Sequence, residues 1–499
     1  MRLPLGSTAK RSISRLAISK LAAGLAALCF VGVGFLEASP APAADWQAGT
    51  ATVKITPQRL MWMSGYGSRD HPAEGTSIDL WAKALVLQDH DGRRGVIVSL
   101  DLVGIDRDFS NAVCAAIGEK YKFERRQIAL CSSHTHSGPV VGRVLMTMYS
   151  LDVAQRQLID DYTADLETKL VALVGQAIEK LAPAKIAWGS GRSTIAVNRR
   201  TNKEPDVPQL REQGRLMGPV DYDVPVLSVR HLDGQLAAIV FGYACHSTVL
   251  PFFQWSGDYP GFAQIELEKS HPGAVALFFA GCGGDQNPLP RRAVEIAQEY
   301  GKSLAQSVDA ALAGVMTPVE GGLDMRYTEI PLALDKLPTR DELVTQSESS
   351  DKFVVLRAKS LLRQIDGGKP LSQTYPYPVQ LWRMGPQLQW VTLGGEVVVD
   401  YALRLKHELG PTRTWVAAYT NDVMAYIPSL RILKEGGYEG GGAMVYYGLP
   451  TVWSPAVEET IVKAVHELAR EGAGERRGVS GERRGGHRFE ENWSPPVGE

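Results

Sequence analysis

The sequence predicts an α/β protein with a mixed β-sheet core, surrounding helices and a single large domain. Short apolar runs bounded by turn residues alternate with segments of helical periodicity through most of the 499 residues, a pattern typical of this class. Asp233-Gly234 separates two such runs and predicts a β-hairpin. Some strands must therefore be antiparallel neighbours, so the sheet is mixed. The composition, with 44% hydrophobic and 22% charged residues, is that of a globular protein, which excludes disorder along the whole chain.

The individual elements follow from these patterns in chain order. Continuous apolar runs predict strands at 94–100, 128–131, 225–231, 236–245, 274–280, 388–393 and 414–418. Apolar residues at helical spacing predict helices at 152–181, about 291–313 and 397–409. A last helix is expected up to about residue 470, with Ser454 as its N-cap and Pro455 in its first position. Residues 334–375 are charged and rich in serine, which predicts a helical excursion with a loop.

The two ends of the chain differ in composition from the rest. Residues 1–44 contain a basic start, an apolar run at 21–36 and Ala41-Pro42-Ala43-Ala44, which together are typical of a secretory signal peptide. We therefore expect cleavage and export to the periplasm or the outside, with an uncleaved membrane anchor as the alternative. Residues 471–499 are rich in Gly, Arg and Glu, which predicts a disordered tail. The folded domain is then expected at 45–470.

The charge balance bears on the partners of the protein, and the positions of the cysteines bear on whether they are buried. The 53 Lys and Arg residues nearly balance the 55 Asp and Glu residues, whereas a generic nucleic-acid binder has a basic excess. We therefore expect no nucleic-acid partner. Four cysteines lie beyond the expected signal peptide, at Cys114, Cys131, Cys245 and Cys282. Each is isolated in or beside an apolar run, so we expect buried thiols. Their pairing and the oligomeric state of the protein stay open.

Polar side chains able to bind a ligand follow five of the predicted strands, just past the carboxyl end of each strand. They are His134 and His136, His246, Asp285, Glu396, and Asn421 with Asp422. In open α/β sheets this edge is where ligands bind. The sequence therefore predicts one functional site to which several strands contribute.

A metal centre is one chemistry that these residues can perform. Two histidines, a carboxylate and an open position form a common catalytic zinc set, in which the metal acidifies water and polarises a carbonyl. His134-Thr135-His136 in an extended segment would place both rings on one side of the backbone. His246 alone is more simply explained as a hydrogen-bonded core residue, and Glu396 as a cap of the helix beside it. The sequence contains no serine-hydrolase elbow, P-loop or dinucleotide fingerprint.

A longer series of motifs extends from about Ala48 to Ser454. In order it comprises GTATVKITP at 49–57, Ser64-Gly65-Tyr66-Gly67, LWAKA at 80–84, VSLD at 98–101, SHTHSGP at 133–139, Asn198-Arg199, Cys245-His246, Ser256-Gly257-Asp258, Gly284-Asp285, Gly395-Glu396, Asn421 with Tyr426-Ile427, and Tyr438-Glu439-Gly440. In these motifs the chain resembles the neutral, non-lysosomal ceramidases, which are secreted or surface zinc amidases that cleave the N-acyl bond of ceramide. SHTHSGP is the most specific match. The resemblance implies a ceramidase-like catalytic domain at 45–470.

The resemblance also implies a set of metal ligands. It assigns zinc to His134, His246, Glu396 and Tyr426. Tyrosine is an unusual zinc ligand that the residue chemistry alone would not select. Core packing is therefore the alternative explanation for Tyr426.

Three further residues receive catalytic roles from the same resemblance, and Asp285 receives one as part of the predicted hydrolysis. His136 would help to polarise the substrate carbonyl or shuttle a proton. Arg199 and Tyr438 would orient or stabilise the developing oxyanion, a role that suits a fixed cation and a phenol in a dry site. Asp285 would orient a ligand or take a proton. The alternatives are a surface ion pair for Arg199, which Arg200 would share, and a loop anchor for Tyr438.

Three departures from the family pattern bear on the substrate. Ceramidases carry a serine after the Gly-Asp pair, whereas Gln286-Asn287-Pro288 follow it here, which argues against a serine nucleophile. Val140-Val141-Gly142 replace the usual Gly-Gly-Phe, so we expect a changed pocket wall. We expect no C-terminal immunoglobulin-like domain, only a helix and the polar tail, which leaves peripheral contact with a membrane surface open.

The function predicted from the sequence is that of an exported zinc-dependent amidohydrolase. Metal-activated water would attack an N-acyl amide bond of a lipid or a related small-molecule substrate. One alternative is an exported binding protein on the same scaffold that has lost turnover. The other is a metal hydrolase acting on an ester or phosphoester bond. The true substrate and its acyl-chain preference stay open.

Overall fold

Two mixed β-sheets form the centre of the fold. The computed structural model describes residues 46–474, so the expected signal peptide and residues 475–499 of the expected tail lie outside the described residues. The strands are β1 (Trp46–Lys54), β2 (Gly75–Thr76), β3 (Trp81–Asp89), β4 (Arg94–Leu100), β5 (Ile128–Ser132), β6 (Ala182–Arg192), β7 (Ala196–Asn198), β8 (Asp223–His231), β9 (Leu236–Tyr243), β10 (Gln254–Trp255), β11 (Val275–Ala280), β12 (Gln286–Pro288), β13 (Thr317–Pro318), β14 (Leu323–Ala333), β15 (Thr374–Met384), β16 (Leu388–Leu393), β17 (Glu396–Val397), β18 (Thr414–Ala417) and β19 (Tyr426–Ile427).

The helices pack around these sheets. They are α1 (Arg107–Tyr121), α2 (Val153–Glu179), α3 (Val207–Glu212), α4 (Asp258–Ser270), α5 (Val294–Ala313), α6 (Arg340–Gln346), α7 (Lys352–Asp366), α8 (Val399–Leu409), α9 (Leu430–Glu435), α10 (Met444–Tyr447) and α11 (Val457–Gly474). Short helical turns occur at Arg125–Gln127, Glu204–Asp206 and Tyr438–Gly442. Within residues 46–474, none of the helices combines the length and the hydrophobicity needed to cross a bilayer.

The larger sheet has the strand order β11-β9-β8-β6-β1-β3-β4-β5, with β13 added beside β6. Strands β8 and β9 are antiparallel around Asp233-Gly234, which confirms the predicted hairpin. Parallel pairs occur at both ends, between β9 and β11 and between β4 and β5. The Ser99 hydroxyl donates to the Phe278 carbonyl at 2.6 Å and accepts from the Phe278 N–H at 3.2 Å. Since Ser99 lies on β4 and Phe278 on β11, the two ends of the sheet are joined.

The second sheet has the order β14-β15-β16-β18 and packs against the first. Its last strand, β18, is parallel to β16 and ends beside β5 and β11. The Ala418 N–H donates to the Ala280 carbonyl at 2.9 Å, and the Asn421 N–H donates to the Leu130 carbonyl at 2.8 Å. Carboxyl ends of strands from two sheets therefore meet, and the predicted common edge is a junction between two sheets.

An aromatic core lies where the sheets face each other. The Phe279 and Trp390 rings lie 5.3 Å apart, and Trp390 meets Trp382 edge to face at 5.7 Å. Every residue of β16 is buried, as is every residue of β4 after Arg94. Burial on both faces explains why these strands are continuous apolar runs in the sequence rather than alternating ones.

Most predicted elements are confirmed, with one clear difference at the last helix. The predicted strands at 94–100 and 388–393 are present with the same bounds, and the excursion at 334–375 contains α6 and α7. The prediction that Pro455 begins the last helix was wrong, because α11 begins at Val457. Ser454 nevertheless contacts the start of the helix, since its hydroxyl accepts from the Ala456 N–H at 3.3 Å and its carbonyl accepts from the Val457 N–H at 3.0 Å.

Helices α4 and α5 approach each other closely at Gly301. A Cβ atom at this position would lie 2.5 Å from the Cβ of Phe262 and 2.9 Å from the Tyr259 carbonyl oxygen. We therefore expect Gly301→Leu to lower the free energy of unfolding by about 1–3 kcal/mol through overpacking, measured by urea denaturation. Gln306→Ala, on the exposed side of α5, should change it by less than about 0.5 kcal/mol. Equal losses in the two variants would contradict the close approach of the helices.

Candidate metal centre

Three buried histidines meet at the junction of the two sheets. Side-chain nitrogens of His134, His136 and His246 all lie within 4.8 Å of one another. One oxygen of the Glu396 carboxylate, Oε2, lies 2.9 Å from His246 Nε2 and 3.1 Å from His134 Nε2. Four of the residues expected at strand ends therefore share one site.

The backbone of the His134-Thr135-His136 segment differs from the prediction. His134 has a φ angle of 59°, so the expectation of an extended segment was wrong. The Thr135 hydroxyl donates to the Ser256 carbonyl at 2.6 Å and holds the turned chain. The two rings converge nevertheless, with 3.0 Å between their Nε2 atoms. A left-handed residue other than glycine is strained, and such strain is common at functional sites.

Backbone carbonyls hold the rings of His134 and His246 in place. His134 Nδ1 lies 2.6 Å from the Val103 carbonyl oxygen, and His246 Nδ1 lies 2.7 Å from the Gly283 carbonyl oxygen. Because a carbonyl oxygen only accepts, each Nδ1 must carry the proton. With its Nδ1 engaged in this way, each ring directs its Nε2 toward Glu396. Metal-binding histidines are usually oriented in this way.

This arrangement of acceptor atoms fits a bound cation. Two imidazole nitrogens and a carboxylate oxygen converge within hydrogen-bond distance of one another, as the ligands of a metal ion do. Burial opposes ionisation of Glu396, but His134 and His246 outweigh it and hold the pKa of this carboxyl well below its usual range. Two histidines and a carboxylate are a common ligand set of catalytic zinc.

Tyr426 lies beside the carboxylate because β17 and β19 are parallel and pair Glu396 with Tyr426. Its hydroxyl lies 3.1 Å from His246 Nε2. One terminal nitrogen of Arg199 donates to the same hydroxyl at 3.2 Å. Burial raises the pKa of Tyr426, whereas the charge of Arg199 acts in the opposite direction. The structure thus places Tyr426 among the donor atoms, and not simply in the apolar core.

Arg199 is held rigidly at the edge of the site. Its Nε donates to Glu439 at 2.7 Å and a terminal nitrogen donates to Asn287 Oδ1 at 3.2 Å. Arg200 donates to the second oxygen of Glu439 at 2.6 Å. Arg199 and Arg200 therefore share an ion pair, but it is not the predicted surface pair, because Glu439 is buried and the Arg199 guanidinium also reaches Tyr426.

Tyr438 lies at the mouth of the site. Its ring lies 5.3 Å from the ring of Tyr426, and the Arg199 guanidinium lies 5.4 Å from the ring centre of Tyr438. The residue is 44% exposed, so a ligand entering from solvent can reach it. Tyr438 therefore borders both the donor atoms and the solvent.

Asp285 lies behind the site and is fully occupied by hydrogen bonds. Its Oδ1 accepts from the Val399 N–H, at the start of α8, at 2.9 Å, and its Oδ2 accepts from Asn198 at 3.0 Å. Burial raises the pKa of Asp285 to about 6. Its backbone carbonyl accepts from the Arg199 N–H at 3.0 Å. The structure shows Asp285 positioning its neighbours, and its expected role toward a ligand stays a prediction.

Asn421 and Asp422 connect the two sheets rather than line the site. The Asn421 Oδ1 accepts from the Leu130 N–H at 3.1 Å, and Asp422 accepts from the Tyr375 hydroxyl at 2.8 Å. Burial raises the pKa of Asp422 to about 8. These two of the expected polar residues therefore serve the junction of the sheets.

A loop with a glycine covers His136. Gly65 has a φ angle of 99°, and a Cβ atom there would lie 2.5 Å from the His136 ring. The Tyr66 ring lies 4.9 Å from the same imidazole. Among residues 46–474, His136 Nδ1 is buried without a hydrogen-bond partner. This ring therefore retains a free nitrogen inside the site.

Sequence reasoning missed Tyr447. Its hydroxyl donates a short hydrogen bond to Glu396 Oε1, the carboxylate oxygen other than the one that His134 and His246 contact. Tyr446 precedes it in the sequence, and nothing in a single sequence distinguishes the two tyrosines. The functional contact of Glu439 was also missed, although this residue lies within one of the family-like motifs.

Removal of the Tyr447 hydroxyl should weaken metal binding without abolishing it. Groups that orient a metal ligand typically contribute about 10–100-fold to affinity, so we expect Tyr447→Phe to lower zinc affinity by that factor in a chelator competition. Tyr446→Phe should bind zinc as the parent does. Equal affinity in both variants and the parent would show that Tyr447 does not orient Glu396.

The fold and this cluster define a mixed α/β protein with a candidate metal centre at a junction of strand ends. The model of the neutral/alkaline non-lysosomal ceramidase family, N-terminal part, matches residues 46–299. The chain belongs to this family, which confirms the resemblance seen in its motifs.

Curated relatives agree with this assignment. The chain is 29% identical over 264 residues to the neutral ceramidase of Pseudomonas aeruginosa, an alignment that covers 50% of this chain and 38% of that protein. It is 26% identical over 266 residues to neutral ceramidase A of Dictyostelium discoideum, covering 50% of this chain and 36% of that protein. The chain thus matches less than two fifths of the length of these relatives.

A solved structure shares the fold. The crystal structure of neutral ceramidase from Pseudomonas aeruginosa superposes with a TM-score of 0.67 at 21% identity, covering 89% of this chain and 77% of the other. The superposed region is therefore longer than the segment matched by the family model. At this level of identity the similarity concerns the fold alone.

Proposed function

We propose that the protein is a zinc-dependent hydrolase that cleaves the N-acyl amide bond of ceramide or a related acyl lipid. Membership of the ceramidase family supports the reaction class. The observation that carries the proposal is the convergence of the Nε2 atoms of His134 and His246 on Glu396 Oε2. The composition of residues 1–44 supports export as a further part of the proposal.

The residues that would hold zinc are His134, His246, Glu396 and Tyr426. The metal, when bound, supplies a Lewis acid that polarises a carbonyl and lowers the pKa of water. Tyr447 and the carbonyls of Val103 and Gly283 orient these ligands. A site held by such contacts is preorganised, because the ligands need little movement on binding.

His136 is the group best placed to move protons. Its Nε2 lies 3.0 Å from His134 Nε2, and its Nδ1 has no hydrogen-bond partner among the described residues. A neutral imidazole next to the reacting centre takes a proton from attacking water and returns it to the leaving amine. The hydrolysis balances with these two transfers: water adds to the carbonyl carbon, the C–N bond breaks, and an acid and an amine result.

Arg199 and Tyr438 would stabilise the negative charge that develops on the carbonyl oxygen. Glu439 and Asn287 fix the guanidinium of Arg199 before substrate arrives, so no reorganisation is needed during the reaction. Tyr438 supplies an exposed phenol at the mouth of the site. The chain can therefore provide two donors beside the metal position.

The proposal is tested by metal content and turnover of the same preparation. The protein is dialysed exhaustively, its zinc is measured by elemental analysis, and hydrolysis of an N-acyl sphingosine is compared with that of an ester of the same acyl chain. We expect about one zinc per chain, loss of amide hydrolysis on chelation, and recovery on zinc addition. His134→Ala should contain no stoichiometric zinc. A parent protein that neither retains nor takes up zinc, or that cleaves only the ester, would overturn the proposal.

A further inference from the structure

Arg69 is buried and Arg357 is half-buried, and the two differ in how their charge is compensated. Arg69 donates to the Ser64 carbonyl at 2.5 Å and the Phe252 carbonyl at 3.1 Å, and its guanidinium lies 4.8 Å from the Tyr66 ring centre. Carbonyl oxygens and an aromatic face replace the water around this cation. Arg69 is therefore satisfied by its own protein.

Arg357, on α7, has no comparable surroundings. Within the part of the chain that the structure describes, its one hydrogen bond is from a terminal nitrogen to Gln346 Oε1 at 2.9 Å. Its Nε is buried and has no partner. Burial lowers the pKa of Arg357, and no neighbouring carboxylate opposes this. A half-buried guanidinium without an anionic partner has unused hydrogen-bonding capacity, so this position suits an anion from outside the chain.

A cavity of about 320 Å³ opens beside this guanidinium. It lies between α6, α7 and the segment at 441–452, and its lining includes Lys336, Glu342, Gln346, Arg357, Met444 and Val452. Glu342 already accepts from the Thr339 N–H at 2.7 Å as part of a helix cap. Two cations against one engaged carboxylate leave the lining with a net positive charge. The volume is at the lower end of that of small-molecule sites.

We propose that this cavity binds an oxyanion, a carboxylate or a phosphate group, through Arg357. The planar guanidinium presents paired N–H donors that match the oxygens of either group. Gln346 holds one terminal nitrogen and thereby fixes the plane of the fork. The proposal does not depend on the proposed amide hydrolysis, because it concerns binding at a separate cavity.

The cavity is adjacent to the candidate metal centre through a shared wall. Gly441 and Met444 line both the cavity and a smaller space that Tyr426 and Tyr438 also line. The same segment continues to Tyr447, the hydrogen-bond partner of Glu396. An anion on Arg357 would therefore lie between α7 and the segment that carries Tyr447.

The test is direct binding by the full chain. Inorganic phosphate and butyrate are titrated by calorimetry at constant ionic strength, with chloride as the balancing anion. We expect saturable binding of at least one of them by the parent, and binding about tenfold weaker or more in Arg357→Met, since the variant loses a charged hydrogen-bonding partner. Lys359→Met removes an exposed cation from the same helix and should bind as the parent does.

Binding to lipid vesicles distinguishes an oxyanion that belongs to a lipid headgroup from one that is free in solution. Binding to phosphatidylglycerol but not phosphatidylcholine vesicles, lost in Arg357→Met and kept in Lys359→Met, would identify a lipid headgroup as the source of the oxyanion. Arg357→Met is expected to remain folded, with a melting temperature in phosphate-free buffer no lower than that of the parent. If it does not fold, Arg357→Lys, which keeps the charge but loses the fork, replaces it with the same expected direction. Absence of binding to all three probes, or equal binding by the Arg357 variant, would overturn the proposal.

Discussion

Replacing Glu396 by glutamine is expected to abolish stoichiometric zinc binding and to reduce kcat/KM for the amide substrate by about 10³-fold or more, equivalent to ~4 kcal/mol. The substitution removes the single negative charge on which the Nε2 atoms of His134 and His246 converge. An amide at this position can turn a donor toward one histidine, but it supplies no charge for the metal. Elemental analysis and steady-state kinetics of the same preparation measure both effects.

Glu439→Gln is the matched control for this variant. Glu439 is also a buried glutamate close to the site, but it pairs with Arg199 and Arg200 and does not contact the histidines. We therefore expect Glu439→Gln to retain its zinc while losing activity through a loosened Arg199. If Glu396→Gln kept its zinc, or if both variants lost zinc equally, Glu396 would not be a metal ligand.

Replacing Tyr438 by phenylalanine is expected to lower kcat by about 10²–10³-fold while zinc content stays unchanged. Removal of one donor to a developing oxyanion has an effect of this size. The phenol lies beside Tyr426 and the Arg199 guanidinium and is partly open to solvent, which suits a contact with substrate but not with the metal. The loss should appear in kcat rather than KM, because the interaction forms mainly in the transition state.

Tyr446→Phe tests whether this loss is specific. The Tyr446 ring lies 6.1 Å from Tyr438 and packs against Phe353 at 4.9 Å, so it shares the apolar surroundings of the mouth. Its substitution should leave kcat within a few-fold of the parent. A similar fall of kcat in both variants would indicate a general disturbance of the mouth and would contradict a donor role for Tyr438.

The parts of the fold that were predictable are those in which burial leaves a simple pattern. Strands β4 and β16 are buried on both faces, and their continuous apolar sequences identify them. Strands β14 and β15 were not predicted, because β14 mixes polar with apolar residues and β15 contains Pro376 and Pro378. Prolines and polar residues are uncommon inside strands, so the sequence pattern does not identify β14 and β15. Their assignment as strands depends on their pairing in the folded protein.

The candidate site was predictable to the extent that its residues follow strands. His134, His246 and Glu396 each come after a recognisable strand, and this placement in the sequence is sufficient to indicate a common site. Tyr426 was expected only through the resemblance to ceramidases, because it pairs with Glu396 through two very short strands. Tyr447 had no signal at all, since its function depends on a contact that only the folded chain creates.

The distance along the chain between the donors affects when the centre can form. His246 and Glu396 contact each other across 150 residues of sequence, and Glu396 lies beyond the segment matched by the family model, which ends at residue 299. During synthesis the histidines emerge from the ribosome well before the carboxylate. A chain that is shortened or cleaved before residue 396 would therefore still be recognisable by sequence as a family member, yet it would lack the charge that completes the centre.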